Sequence, residues 1–175
     1  MIRELRFKIL CRRHADEIYR FVRSMLGNAA DAEDATQEVL LRLWLNLPAV
    51  PMLKARAWLY RTTRNYCLDQ IRRRSLVTAA AMPGAEVLEE IVDAGIEHPS
   101  RAADLDYLRT CMDVALQSLP ETLRSVFILY EVNGLRYRQI AEQLDLPINS
   151  VKVHLLRARR RLQDLLRKEK AWTNS

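Results

Sequence analysis

Residues 55–74, ARAWLYRTTRNYCLDQIRRR, bring cationic, amide and aromatic side chains together without a Pro or a Gly. This composition predicts a helix, and four residues spaced three or four apart share one of its faces: Trp58, Leu59, Thr62 and Tyr66. That face is largely apolar, so we expect it to pack against the rest of the domain.

The other faces of this predicted helix carry groups that suit a nucleic-acid partner. They are Arg61, Arg64 and Asn65 along the helix and Arg72, Arg73 and Arg74 at its end. Guanidinium groups bind the phosphate backbone, and aromatic rings stack on bases that have left the duplex. The combination favours a nucleic-acid interface, and a solvated basic helix is the alternative.

The composition of the whole chain favours a polyanionic partner. The chain has 175 residues, of which 49% are hydrophobic, and a net charge of +6. Its length and apolar content suffice for one domain or two small ones, and its positive charge attracts nucleic acid or an anionic membrane surface. No apolar run approaches the ~20 residues of a membrane-spanning helix, and the first residues are charged where a signal peptide is apolar. We expect a cytoplasmic protein with no stable membrane insertion.

Helices rather than strands are expected throughout the chain. Gly and Pro number only four and six, and alternating β-branched runs are missing. The three cysteines are widely spaced and form no metal-ligand or redox pair, and the three histidines lie in different segments. We find neither an activated nucleophile nor a carboxylate cluster for a metal. The sequence therefore predicts an all-α protein that is not an enzyme and has no metal or cofactor.

Two helices are predicted before the basic one. Apolar residues recur at helical spacing over about residues 10–26, with His14 at the edge of the stripe, and Gly27-Asn28 ends that helix. The second helix, DAEDATQEVLLRLW, covers residues 31–44. Either Asn28 or Asp31 caps its start, where acidic residues complement the helix dipole.

The second helix presents an acidic surface on an otherwise basic chain. Its polar face carries Asp34, Gln37 and Glu38. Beside a DNA-binding helix these acids would repel phosphate, so we expect the surface to face a protein. A solvated face is the alternative. Pro48 and Pro51 predict a loop over residues 47–54, whose apolar side chains either pack inward or touch a ligand.

The acidic helix, the loop and the basic helix together resemble the second conserved region of bacterial RNA polymerase sigma factors of the extracytoplasmic-function group. In that family the acidic helix docks on the clamp helices of the largest polymerase subunit. The basic helix contacts the promoter element nearest the start site and helps to open it. The resemblance implies polymerase contacts by Asp31, Asp34, Gln37 and Glu38. It implies promoter contacts by Trp58, Arg61, Arg64, Asn65, Asp69, Arg72, Arg73 and Arg74.

The composition changes between Ser75 and Ser100. This stretch has no Lys or Arg, contains five acidic residues and includes Pro83-Gly84 and His98-Pro99. We interpret it as a flexible acidic linker with room for a short helix near residues 86–92. A solvated tether is the simplest role. In the resembled family the linker threads through polymerase channels.

Helical patterns resume after residue 100. An apolar stripe leads to SLPETLRSVFILYEVNG, where Ser118 and Glu121 have capping-box spacing and Asn133-Gly134 ends the helix. Two further helices, at 137–144 and 149–166, flank an Asp-Leu-Pro turn, which predicts a helix-turn-helix. The exposed side of the second one presents Asn149, Ser150, Lys152, Val153, His154 and Arg157, followed by Arg159, Arg160 and Arg161.

Residues early in such a recognition helix reach base edges, whereas later arginines bind phosphate more often. A solvated basic helix that closes a small bundle is the alternative. Residues 119–162 resemble the fourth sigma region, which reads the upstream promoter element, and the resemblance extends DNA contacts to Arg160. Factors of this kind are often held inactive by an anti-sigma factor, so we also expect such a partner.

We therefore predict two small helical domains, at 1–75 and 101–175, joined by a linker at 76–100. The predicted function is a promoter-specificity subunit that binds core RNA polymerase and promoter DNA. The chief alternative is a helix-turn-helix regulator of the response-regulator output type. Such a regulator would carry a receiver of alternating strands and helices in its N-terminal half, where no strand pattern occurs.

Overall fold

The computed structural model describes the backbone of residues 2–81 and 101–173 and the side chains of residues 2–76 and 107–167. Within those ranges every regular element is helical, which confirms the predicted all-α class. The α-helices are α1 (Ile2–Leu26), α2 (Ala29–Asn46), α3 (Ala55–Ala81), α4 (Arg101–Gln117), α5 (Glu121–Phe127), α6 (Tyr137–Leu144) and α7 (Ile148–Thr173). A 3-10 turn spans Met52–Lys54, and a π turn spans Ile128–Val132.

The first helix begins eight residues earlier than predicted and ends where predicted. Gly27 adopts a φ of 83°, and its N–H donates to the Arg23 carbonyl oxygen at 3.0 Å. Glycine takes this left-handed conformation without a steric cost. His14 lies inside the core rather than at its edge, with 5% of its surface exposed. Burial lowers the pKa of His14 and so favours the neutral imidazole. The nearby Glu17 carboxylate acts in the opposite direction but has the smaller effect.

The second helix is capped by Asn28 rather than by Asp31. The Asn28 backbone is extended, and its side-chain oxygen accepts a hydrogen bond from the Asp31 N–H at 2.8 Å. Ala32, Val39 and Leu43 are fully buried on the inner face of α2, which packs against α1 and α3.

The buried face of α3 is one residue further round the helix than predicted. After Ala55 at its start, its fully buried residues are Leu59, Tyr60, Thr63 and Cys67. Trp58, Thr62 and Tyr66 are only half-buried. Two polar members of the buried face have partners. The Tyr60 hydroxyl donates to Glu17 Oε2 at 3.0 Å, and the Thr63 hydroxyl donates to the Leu59 carbonyl oxygen at 2.6 Å. Because these hydroxyls are satisfied, their burial carries little desolvation penalty.

The third helix extends beyond the predicted end at Arg74. It continues through residues 75–81, six of which were assigned to the linker. The predicted short helix near residues 86–92 and most of the acidic stretch lie outside the described residues. The apolar side chains of the loop before α3 lie in different environments. Val50 is buried, whereas Leu53 is fully exposed.

The C-terminal helices differ from the prediction at the start of α5. The expected capping box is wrong, because Pro120 is the N-cap residue and no side chain caps the helix. The Ser118 hydroxyl instead donates to the Ala115 carbonyl oxygen at 2.7 Å, which satisfies one of the free carbonyls at the end of α4. α5 runs into the π turn, and Gly134, with a φ of 66°, ends this helical stretch as predicted.

The helix-turn-helix is formed by α6 and α7. Asp145 adopts a left-handed φ of 55° between them, a conformation that Asp tolerates better than most residues. The Leu146 N–H donates to the Ala141 carbonyl oxygen at 3.0 Å and closes the turn. α7 begins at Ile148, so Asn149 lies in its first turn and does not cap it.

The two helical sets, α1–α3 and α4–α7, share one hydrophobic core. A single continuous cluster of buried residues contains Phe21, Met25, Leu59 and Leu68 from the first set and Val126, Ile128, Leu129, Leu135 and Ile140 from the second. A smaller cluster joins α4 and α5 to α7. The two helical sets therefore pack directly on each other.

We expect Leu129→Ala to lower the free energy of unfolding by about 2–5 kcal/mol, because it deletes a fully buried side chain from the shared core. Urea unfolding followed by circular dichroism measures this loss. The control, Leu53→Ala, removes a fully exposed leucine and should change stability by no more than about 0.5 kcal/mol. Equal effects of the two variants would contradict the assignment of Leu129 to the core.

Candidate nucleic-acid and protein interfaces

The predicted DNA-facing residues of α3 lie mostly on its outer side. Six of them are exposed: Arg61, Asn65, Asp69, Arg72, Arg73 and Arg74. Trp58 is half-buried against the core, and the buried face behind it fixes the orientation of the helix. α3 therefore presents most of its cations to solvent while its inner face is held rigidly.

Arg64 differs from the other α3 arginines because it lies in a contact with the second helical set. Its side chain is half-buried, and its Nε donates to the Ser125 hydroxyl at 3.1 Å. Burial lowers the pKa of this guanidinium, although the nearby Glu121 carboxylate acts in the opposite direction. The sequence placed Arg64 among the DNA-facing residues but offered no sign of this contact.

Two further α3 arginines form ion pairs. Arg72 lies 3.3 Å from the Glu121 carboxylate of α5, and Arg74 pairs with Asp31 at the start of α2. Such partly exposed pairs contribute at most about 1 kcal/mol each, so DNA phosphates can compete for these arginines. The Asp31–Arg74 pair joins a predicted polymerase contact to a predicted DNA contact.

The acidic face of α2 is accessible. Asp34 and Gln37 are exposed, and Glu38 is half-buried with its carboxylate 2.7 Å from the Arg42 guanidinium. The Arg42 guanidinium also lies over the Tyr66 ring, 5.1 Å from its centroid. Sequence reasoning missed Arg42, although its position four residues after Glu38 signals an ion pair on one helix face.

Exposed leucines extend the acidic face toward the end of α2. Leu41 and Leu45 are 52% and 63% exposed. They follow Gln37 at intervals of four residues, so all three lie on one side of the helix. An acidic patch continued by an apolar one suits a protein partner better than a solvated surface.

The recognition helix is positioned by its buried side. Val151, Leu155, Ala158 and Leu162 face the core, which turns the opposite side outward. The predicted DNA-facing residues Asn149, Lys152, Val153, Arg157 and Arg160 are exposed, and Ser150 and His154 are half-buried. Together they form one contiguous surface that can enter a major groove.

Two shallow clefts flank this surface. One, of about 620 Å³, lies beside the start of α6 and is lined by Arg136, Tyr137, Arg138, Gln139, Ile148 and Lys152. The other, of about 540 Å³, lies between α5 and α7 and is lined by Pro120, Thr122, Leu123, His154, Arg157, Arg160 and Arg161. The sequence analysis did not single out the arginines at the start of α6, although the first helix of such a motif commonly crosses the DNA backbone.

The arginines of α7 fall into two groups. Arg159 is held by both Glu131, at 2.6 Å, and the Tyr130 ring, 5.4 Å from its centroid. In contrast, Arg157 and Arg160 have no ion-pair partner in the part of the chain that the structure describes. These two are therefore available to a ligand, while Arg159 stabilises the contact with the π turn.

Other kinds of site are not seen in the described ranges. No group of three or more His, Cys, Asp or Glu side chains there could hold a metal ion. Among the described residues, no helix combines the length and apolar character needed to cross a membrane.

Each of the two helical sets matches a protein-family model. The family model for Sigma-70 region 2 matches residues 10–77, and the model for Sigma-70, region 4 matches residues 109–162. The first range covers all of α2 and most of α1 and α3, and the second covers most of α4–α7. The described N-terminal half is helical throughout, so the alternative of a response regulator with an alternating receiver is not favoured.

Two relatives agree with this placement. The ECF RNA polymerase sigma factor SigE of Mycolicibacterium smegmatis is 32% identical over 164 residues, and the match spans 94% of this chain and 63% of SigE. The ECF RNA polymerase sigma factor SigW of Bacillus subtilis is 30% identical over 160 residues, which is 88% of this chain and 85% of SigW. This chain belongs to the ECF family of RNA polymerase sigma factors.

Solved structures share the arrangement of helices. The sigma factor RpoE, in a co-crystal structure with the anti-sigma factor NepR from Bartonella quintana, is 27% identical with a TM-score of 0.69. The match covers 92% of this chain and 96% of RpoE. CnrH, in complex with the cytosolic domain of CnrY, shares the fold with a TM-score of 0.66 at 24% identity.

The environment of Asp31 gives a prediction for the acidic helix. A hydrogen bond from the Asn28 side chain and then the ion pair with Arg74 hold the pKa of the Asp31 carboxyl below its usual value. We expect Asn28→Ala to raise this pKa more than Arg74→Ala does, as measured by carboxyl ¹³C NMR titration. Because the folded pKa is lowered, the stabilisation is present above about pH 3.9 and disappears as the pH falls further.

The control for this titration is Arg73→Ala, which removes an exposed arginine adjacent to Arg74. It should leave the pKa of Asp31 unchanged. If neither Asn28→Ala nor Arg74→Ala raised that pKa, the two contacts would not be the source of the shift.

Proposed function

We propose that this protein is the promoter-specificity subunit of a bacterial RNA polymerase, acting in the cytoplasm and without catalytic activity of its own. It binds core polymerase, recognises two promoter elements and helps to open the DNA near the start site. The observation that carries this proposal is the separation of three surfaces on one chain. An acidic face lies on α2, and two basic faces lie on α3 and α7.

The acidic face of α2 is the proposed contact with polymerase. Asp31, Asp34, Gln37 and Glu38 would meet a basic surface on the enzyme, with Leu41 and Leu45 extending the contact. Charge complementarity of this kind raises the association rate and selects the partner. The exposed side chains of Leu41 and Leu45 then supply apolar surface that becomes buried on binding.

The outer face of α3 is the proposed contact with the start-proximal element. Separating DNA strands costs about 1.4 kcal/mol of stacking for each base step. Arginines that neutralise the phosphates and an aromatic ring beside an unstacked base offset part of this cost. Arg61, Asn65, Asp69 and the arginines at 72–74 have the exposure that this role requires, and Trp58 is half-buried beside them.

The exposed side of α7 is the proposed reader of the upstream element. Asn149, Ser150, Lys152, Val153 and His154 lie in the first two turns, where a recognition helix approaches base edges. Arg157 and Arg160 follow and can hold a guanine or the phosphate backbone.

A second protein partner, an anti-sigma factor, is proposed by analogy. RpoE and CnrH, which share this fold, were solved in complexes with the anti-sigma factor NepR and with the cytosolic domain of CnrY.

The proposed domain bounds are 1–75 for the polymerase-binding and promoter-opening part and 101–175 for the upstream-element part, with a linker at 76–100.

In vitro transcription tests the function directly. We expect the protein to give core polymerase new, discrete start sites on a pool of genomic promoter fragments, preceded by two shared spaced motifs. Changing Asp34, Gln37 and Glu38 together to Ala should weaken polymerase binding in a pull-down and remove those start sites. The fold should be unaffected, because none of the three lies in the core.

The matched control for that experiment is Glu33→Ala, which removes another exposed acid from α2. It should retain polymerase binding. Failure of the wild-type protein to bind polymerase or to change its start sites would overturn the proposed function. Unchanged binding by the triple variant would overturn only the assignment of this face.

We expect Arg157→Ala to weaken binding to the upstream element by about 1–3 kcal/mol if its guanidinium reads a base. Titration of the matched and the base-substituted element against the polymerase complex measures the selectivity of the loss. Arg167→Ala, at an exposed position beyond the recognition surface, is the control. An equal loss on both DNA sequences would assign Arg157 to phosphate instead.

A further inference from the structure

The π turn carries side chains that hold the recognition helix. Glu131 Oε1 accepts two hydrogen bonds from Arg159 of α7, one from Nε at 2.9 Å and one from a terminal guanidinium nitrogen at 2.6 Å. The Arg159 guanidinium also lies over the Tyr130 ring, 5.4 Å from its centroid. One short segment therefore holds Arg159 from two directions.

The same side chains reach the first helix of the helix-turn-helix. The rings of Tyr130 and Tyr137 stack, with centroids 5.1 Å apart and an angle of 12° between their planes. Tyr137 is the first residue of α6. The Gln139 side chain accepts a hydrogen bond from the Arg136 N–H at 2.8 Å, which fixes the start of this helix. The two stacked rings thus connect Arg159, in the middle of α7, to the start of α6.

The segment that carries Glu131 is itself anchored in the first helical set and in the core. Asn133, which follows the π turn, donates through Nδ2 to the Glu17 carbonyl oxygen at 2.8 Å. The side chains of Ile128 and Leu129, at the start of the π turn, are fully buried. Because the π turn is fixed at both ends, Glu131 can hold α7 in one position.

Arg159 lies where a DNA phosphate could otherwise bind it. It follows Lys152 by about two helical turns, so both side chains lie on the same flank of α7. Lys152 lines a cleft together with Arg136 and Arg138 from the start of α6. The side chains of Arg159 and Glu131 are 44% and 36% exposed. Because a partly exposed ion pair is weak, a phosphate beside this cleft would compete with Glu131 for the guanidinium.

The two possible partners of Arg159 have different consequences for DNA binding. A phosphate contact adds affinity for every DNA sequence, whereas base contacts carry the sequence information. Side chains that make such specific contacts must be held to within about 0.5 Å of their productive positions. A recognition helix that shifts by more than this loses base contacts and keeps phosphate contacts. Binding of Arg159 by Glu131 therefore favours selectivity over total affinity.

We propose that Glu131 sets the selectivity of the recognition helix by committing Arg159 to hold α7 in place rather than to bind phosphate. Glu131 is thus a positioning residue, which acts through Arg159 and does not touch DNA. Tyr130 and Tyr137 complete the support by linking Arg159 to the start of α6. This inference rests on the proposed function and adds the residues that set its sequence discrimination.

The test compares Glu131→Gln with the wild-type protein, each in complex with core polymerase. A duplex recovered in the transcription assay and the same duplex with a substituted upstream element are titrated at several KCl concentrations. We expect the ratio of the two affinities to fall about tenfold, which corresponds to the loss of roughly one base contact. On the substituted duplex, the slope of log affinity against log salt should steepen by about 0.9, because the released Arg159 neutralises one more phosphate.

The matched control is Glu142→Gln, which removes an exposed acid from α6 and changes the net charge by the same amount. It should leave the affinity ratio and the salt slope at their wild-type values. Equal shifts in the two variants would assign the effect to net charge and refute the proposal. A merely structural role of the ion pair is refuted or supported separately by the melting temperature. If Glu131→Gln lowered that temperature while the ratio and the slope stayed unchanged, the proposal would fail.

Arg159→Gln tests the other member of the pair, and it replaces Glu131→Gln if circular dichroism shows that the latter does not fold. It removes the cation but keeps a side chain that can pack on Tyr130. We expect the affinity ratio to fall while the salt slope stays at the wild-type value. Arg160→Gln, at the adjacent exposed arginine, should instead make the slope shallower by about 0.9. A shallower slope for Arg159→Gln with an unchanged ratio would make Arg159 an ordinary phosphate ligand and overturn the proposal.

Failure of the proposed function gives a different result in the same titrations. A wild-type complex that binds both duplexes equally would remove recognition of the upstream element, and the role of Glu131 with it. A wild-type complex that discriminates between the duplexes, with variants that behave identically to it, would overturn only the role of Glu131.

Discussion

The burial of one face of α3 is the constraint on which the rest of the structure depends. Leu59, Tyr60, Thr63 and Cys67 fix this helix against α1 and α2, and the same packing sets which arginines reach solvent. A basic helix without such a buried face could rotate about its own axis. Its arginines would then have no fixed orientation toward a ligand. The helix therefore joins the stability of the core to the geometry of the proposed promoter contact.

Polar atoms, rather than apolar area alone, give the two helical sets a defined orientation. Apolar surfaces tolerate sliding, but a carbonyl such as that of Met25 accepts hydrogen bonds only from a narrow range of positions. Gln117 and Arg124 meet that requirement from a distant part of the sequence. Because a buried carbonyl without a donor is costly, these hydrogen bonds favour one arrangement over neighbouring ones.

Much of the fold follows from local sequence signals, whereas the contacts between distant residues do not. The end of α1 at Gly27, the helix-turn-helix and the all-α class were predictable because glycine, turn residues and helical periodicity act locally. The inner face of α3 was misplaced by one residue, since Tyr60 pairs with Glu17 more than 40 residues away. The partners of Arg64 and Arg72 were hidden for the same reason, although both were recognised as candidate nucleic-acid ligands. The resemblance to sigma factors located the candidate surfaces, but it did not reveal how the two sets pack.

The π turn at Ile128–Val132 sets the direction in which every later side chain of this helical stretch points. An extra residue in a helical turn rotates every later position by about 100° relative to an uninterrupted α-helix. Loss of one residue from this turn would restore an ordinary helix and carry Asn133 away from Glu17. A single-codon deletion here would therefore alter how the halves associate while leaving every proposed DNA contact encoded in the gene.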